Sequence, residues 1–156
     1  MSRILLLSIR PEHVKRILNG EKKVELRRTR PKLNQGDLVL IYASTPIKAL
    51  VGAFQVEKVL EDTPSNLWYR VQNSACISRE EFDKYYIGTD RGIGIFFNKT
   101  CILQSPIALS GLRQCWPNFQ PPQIYRYLSA VDINLIKNLS NLNCVFKGVS
   151  YQLPLL

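Results

Sequence analysis

The chain has 156 residues, 46% of them apolar and 21% charged. That suits one globular domain able to bury roughly two-thirds of its unfolded surface, and it excludes a disordered polyelectrolyte. A formal net charge of +9 favours polyanionic partners, while the apolar run Ile4–Ile9 is far too short to cross a bilayer.

Arg3 to Ile9 is rich in Leu and Ile and reads as a buried strand stopped at Arg10-Pro11. Pro11 opens a short helix to Leu18, with His13, Val14, Ile17 and Leu18 at helical spacing and Asn19-Gly20 as its stop. His13 reads as a packing or surface residue of this helix. Lys22 to Arg28 alternates Val24 and Leu26 with Lys23, Glu25 and Arg27, which is a strand period. A loop with turn chemistry at Gly36 leads into Leu38 to Ala43, a strongly apolar central strand. Ile47 to Leu60 is a long β-rich stretch, and Gly52 within it marks a bulge or bend.

Thr63 caps a short helix begun by Pro64. Ser78-Arg79-Glu80-Glu81 is a capping box opening a helix to Tyr86. Gly92 to Leu103 is strand-like, and Ile107 to Leu112 is apolar enough to add another strand. After the irregular Trp116 to Pro122, Pro122 to Leu128 reads as a helix. Asp132 to Leu139 reads as a second one, N-capped by Asp132. Val145 to Leu156 is apolar enough to pack back on the sheet. Many short strands with two to four short helices define a mainly β, α+β fold, a small curled sheet or barrel, as one domain over 1–156. Its core spans about 3–112, with 113–156 as a C-terminal extension packed on the barrel.

Charge is concentrated at the start: Met1 to Lys32 holds ten Lys/Arg against three Asp/Glu, a net of +7. The four cysteines lack metal-ligand spacing and lie far from the one histidine, so no zinc site, and no cofactor, is expected. They read as buried free thiols in a reducing cytoplasm.

Gly20, Lys22, Glu25 and Arg27 form a G-x-K-x-x-E-x-R pattern that follows a helix and opens a strand. Gly36, Asp37 and Tyr42, then Val51-Gly52, follow in order. This series resembles the ASCH family, whose fold is similar to the PUA domain, with the clear similarity from about Leu5 to Leu60. The resemblance implies a cleft beside the barrel, lined by the motif and suited to RNA or a nucleobase. The family is linked to RNA metabolism and transcription coactivation. Some members act as hydrolases: one group deacetylates N4-acetylcytidine with the motif lysine, a threonine and a glutamate, and others are ribonucleases. Here Glu25 stands where that deacetylase group has threonine, which counts against that activity.

The candidate nucleic-acid-binding residues are Ser8, Arg10, Lys22, Glu25, Arg27, Arg28, Arg30, Tyr42 and Trp68. Arginine forks match phosphate oxygens, and Tyr42 and Trp68 are the candidates to stack a base. Should the site be catalytic, Lys22 and Glu25 are the residues for it. Regular strand parity puts these two on opposite faces, so they meet only if Lys22 belongs to the turn after Gly20. Three readings follow: a module binding RNA or single-stranded nucleic acid; a hydrolase acting on RNA or a nucleoside-like ligand; and a regulatory module docking a protein through the C-terminal extension. No membrane partner is expected.

Overall fold

A computed structural model describes residues 3–137 and 139. The described elements run β1 (Ile4–Ile9), α1 (Pro11–Leu18), β2 (Val24–Arg27), β3 (Leu38–Ala43), β4 (Ala49–Asp62), α2 (Pro64–Val71), α3 (Arg79–Tyr85), β5 (Gly92–Ala108), α4 (Leu109–Cys115), β6 (Tyr125–Tyr127) and α5 (Ala130–Ile136). The strands form one sheet in the order β2-β5-β4-β3-β1-β6. β1 and β3 are parallel, and the other neighbours are antiparallel. The fold is thus mixed α+β and mainly strand, a curled half-barrel with five helices among the described residues.

Curling comes from the two longest strands. The β4–β5 ladder shifts register at three places, the first between Leu50 and Gly52, and each shift bends the ribbon. Gly52 lies so close to its partner that a Cβ there would stand 2.5 Å from the Cys101 carbonyl oxygen. The bend carries β2, at one edge, round toward β1 and β6 at the other.

Both faces of the central strands are covered, which is why their sequences are continuously apolar. On the inner face Leu5, Leu7, Val39 and Ile41 meet α1 through Val14 and Ile17, and Phe54 stacks on Phe97 with centroids 4.1 Å apart. On the outer face Ile4, Leu6, Leu38, Leu40 and Tyr42 lie under Leu112, Trp116, Phe119 and Ile136. A third cluster joins Val24 and Leu26 of β2 to Leu67, Val71 and Phe82. α2 and α3 are capped by Thr63 and Ser78, as their sequences predict.

Three expectations are corrected toward the C-terminus. Ile107 and Ala108 end β5, and Leu109 then starts a helix rather than continuing a strand. Tyr125–Tyr127 is a strand, not a helix, because it takes the free edge of β1. α5 starts at Ala130 under a Ser129 cap, with Asp132 as the reciprocal partner of that capping box rather than the cap itself. Cys76, Cys101 and Cys115 are half-buried rather than fully buried. Cys144 and the 145–156 segment lie outside the described residues. No helix among the described residues is long and apolar enough to cross a membrane.

The close approach at Gly52 makes a direct test of the bend. Gly52→Ala should cost about 2–3 kcal/mol in urea unfolding, because the clash is with backbone. Gly111→Ala, whose new Cβ would meet nothing nearer than 3.6 Å, should be neutral or gain about 0.5–1 kcal/mol from helix propensity. Equal effects at both positions would contradict this account of the curl.

Candidate functional site

The turn between α1 and β2 is built by the motif. Gly20 adopts φ +85°, open to glycine without strain. The chain then folds back so that the Lys22 amide donates to the Arg16 carbonyl at 2.9 Å, closing the C-terminal end of α1. β2 begins only at Val24. Lys22 therefore belongs to the turn rather than to the strand, and it lines the same cavity as Glu25. Val24 and Leu26 face the third apolar cluster, so Glu25 and Arg27 point the other way. Asp37 is structural: it accepts from the Arg3 and Asn34 amides, both at 2.8 Å, and ties the start of β1 to the turn before β3.

Lys22, Glu25 and Arg27 line one open cavity of about 1030 Å³. Ser8, Arg10 and His13 enter it from the end of β1 and the start of α1, and Tyr42 from the end of β3. Tyr85 and Lys84 of α3 form one side, while Arg113 and the 120–123 segment form the other. Eight Lys/Arg and three Glu line the cavity, so it is a cationic hollow.

Two charged groups lie almost wholly out of water at its floor: Lys22 is 2% exposed and Glu25 6%. Lys22 Nζ donates to the Ala75 carbonyl at 2.6 Å. Burial pushes the Lys22 ammonium below its usual range, and the Glu25 carboxylate opposes that shift. Glu25 Oε1 pairs with Arg27 at 3.2 Å, and the same guanidinium donates to the Ser8 carbonyl at 2.9 Å. His13 is lowered from its ordinary value, first by burial and next by the Lys22 charge.

The distribution of unpaired polar atoms is uneven. Five buried side-chain atoms find no hydrogen-bond partner among the described residues: Ser8 Oγ, His13 Nδ1, Glu25 Oε2, Arg27 Nε and Tyr42 OH. All five belong to residues lining this cavity. An orphaned buried polar group costs about 1–3 kcal/mol, so their gathering here marks a place where stability is given up. Among the described residues no group of three or more His, Cys, Asp or Glu side chains could hold a metal ion.

Of the sequence candidates, Ser8, Arg10, Lys22, Glu25, Arg27, Arg28 and Tyr42 come together at the cavity. Arg30 does not; it pairs with Glu61 at 3.2 Å on the surface. Trp68 does not either. Its ring packs on Phe82 at 5.0 Å and lies under the Arg79 guanidinium. The Tyr42 ring belongs to the outer apolar layer, edge-on to Phe119 at 6.3 Å, so it is not free to stack a base. Tyr85 also lines the cavity, with Arg28 4.7 Å from its ring centroid.

A family model for the ASCH domain matches residues 7–117. The chain belongs to the ASCH domain family. It is 29% identical over 136 residues to an ASCH domain-containing ribonuclease of Zymomonas mobilis, a match spanning 87% of this chain and 91% of that protein. A crystal structure of ASCH from Zymomonas mobilis gives a TM-score of 0.81 at 29% identity, covering 87% of this chain and 94% of that one. The chain is also 30% identical over 107 residues to large ribosomal subunit protein uL22 of Ureaplasma parvum, spanning 68% of this chain but 34% of that protein.

His13, Arg16, Lys48, Tyr85 and Arg113 also line the cavity and are not among the sequence candidates. His13 and Arg16, three apart on α1, were legible as one helix face. Arg113 reaches the cavity only through the path of the chain after β5, which has no local signature.

As the sole histidine, His13 is a clean spectroscopic probe of the cluster. Its NMR titration midpoint should lie below 6.5. Lys22→Met should raise it by removing a repelling charge, and Glu25→Gln should lower it by removing an attracting one. A midpoint that ignores both substitutions would mean the three groups do not share a site.

Proposed function

We propose that this ASCH domain binds single-stranded RNA, with the strand lying in the cationic hollow and its polar groups meeting the orphaned atoms at the floor. The observation that carries the reading is the convergence of all five unpaired buried atoms in one cavity ringed by Lys and Arg. Phosphates suit the exposed cations Arg10, Arg16, Lys48 and Arg113, which can shed counterions on contact. The floor offers hydroxyl, imidazole, carboxylate and guanidinium groups, a mixture suited to base edges and 2′-hydroxyls rather than to phosphate alone. The name of the Zymomonas mobilis relative, a ribonuclease, supports RNA as the ligand class.

A second reading, hydrolysis of RNA, is favoured by the burial of Lys22 beside Glu25. A lysine held out of water with a lowered pKa is expensive to maintain as a structural residue and is suited to proton transfer. In this reading Lys22 and Glu25 belong to the active site.

Binding is tested by titrating labelled single-stranded RNA 12-mers at two salt concentrations. If about five phosphates are neutralised, affinity should fall roughly 100-fold between 50 and 200 mM salt. Lys48→Ala or Arg113→Ala should weaken binding on all sequences alike and flatten the salt slope by roughly one contact. Absence of binding at low salt, or binding untouched by both substitutions, would defeat the reading.

A further inference from the structure

From the placement of the one imidazole, we infer that His13 is the general base of an RNA-cleaving reaction in this cavity, taking the proton of a ribose 2′-hydroxyl. The inference rests on the hydrolytic reading above and adds to it a residue, a substrate requirement and a product.

The geometry comes first. Pro11 starts α1 directly after β1, so His13 falls in the first turn of the helix and lines the cavity beside the motif. Its Nδ1 is buried without a hydrogen-bond partner, so no hydrogen bond there commits the ring to holding the fold, and Nε2, which is not among these buried atoms, is the nitrogen that meets the substrate. The ring is faced by Lys22 from the turn, Glu25 from β2, Arg10 from the end of β1 and its neighbour Glu12. Lys22, Glu25 and Arg27 are engaged in fixed contacts with Ala75, with each other or with Ser8. Glu25 Oε2 and Arg27 Nε are also unpaired, but Glu25 is ion-paired through Oε1 and Arg27 is a cation, so His13 is the base of the group that has no ion pair among the described residues.

The charge environment agrees. Burial and the Lys22 charge keep the imidazole below its usual range, so it is neutral, and able to accept a proton, at pH 7.

The step balances as an internal transesterification. His13 takes the 2′-hydroxyl proton as O2′ forms a bond to phosphorus. The bond from phosphorus to the 5′ oxygen of the next nucleotide breaks, and the Lys22 ammonium protonates that oxygen. Arg10 and Arg27 hold the phosphoryl oxygens as charge builds. The products are a 2′,3′-cyclic phosphate and a free 5′-hydroxyl, and solvent returns the proton from His13 to Lys22. No electron is gained or lost. A strand lacking free 2′-hydroxyls cannot react by this route.

The test uses a 5′-labelled single-stranded RNA of mixed sequence and the same sequence fully 2′-O-methylated, with the wild-type chain, His13→Ala and His13→Gln. Wild type should cut the RNA to fragments whose masses show cyclic phosphate ends, and should leave the methylated strand whole. On the acid side, kcat/KM should rise with unit slope to a midpoint below pH 6.5. Both variants should lose at least about 100-fold in kcat/KM, and added imidazole should restore part of the activity of His13→Ala, which a merely structural histidine would not allow. Loss of less than tenfold in whichever variant melts like wild type would overturn the role of His13, as would failure of imidazole rescue. Cleavage of the methylated strand would overturn the 2′-hydroxyl step. RNA that binds but is never cut would overturn the inference while sparing the binding reading, whereas no binding of any RNA would remove both.

Discussion

The Arg27 guanidinium bridges the seam of the half-barrel. β2 and β6 are the two edges of the sheet, and Arg27, the last residue of β2, reaches across to the other side. It donates to the Ser8 carbonyl of β1 at 2.9 Å and to the Ile124 carbonyl, just before β6, at 3.5 Å. Glu25, two residues earlier on the same face, supplies its counter-charge at 3.2 Å. An arginine so far out of water needs that carboxylate, and deleting one member of such a pair strands the other. The pair therefore serves closure of the fold and the floor of the cavity together.

The same residues explain where stability is given up. A buried Lys22, a half-satisfied Glu25 and unpaired hydroxyls on Ser8 and Tyr42 would each be better replaced if the fold were their purpose. Ser8 and Tyr42 are register partners on β1 and β3, and two orphaned oxygens on paired strands are hard to reconcile with packing alone. Elsewhere the apolar layers on both faces of β1 and β3 supply what the cavity withholds.

Much of the fold is readable from the chain, because local rules and tertiary needs agree there. Pro11 and Asn19-Gly20 bracket α1, Thr63 and Ser78 cap α2 and α3, and Leu38–Ala43 is apolar throughout because both its faces are covered. Reading fails where a distant partner decides. Tyr125–Tyr127 becomes a strand because β1 has a free edge, and Leu109–Cys115 turns helical to cover the outer face of the sheet. The site divides the same way. The alternation of Val24, Glu25, Leu26 and Arg27 puts the charged pair on one face, and the Gly20 turn brings Lys22 to it. Trp68 and Arg30 look equally suitable in sequence, but the α2–α3 packing and the Glu61 ion pair take them elsewhere. No local pattern announces Arg113, because the chain brings it back only after five strands.

The central claim is that RNA occupies this floor. The most direct measurement follows the side-chain resonances of a labelled chain as a short single-stranded RNA is added, watching the Arg27 Nε–H group and the His13 ring. Both should move and saturate together at the RNA concentration that shifts the backbone signals of Ser8 and Tyr42, with Arg27 Nε–H moving downfield as it gains an acceptor. Saturation of signals on another surface, with Arg27 and His13 unmoved, would contradict the account.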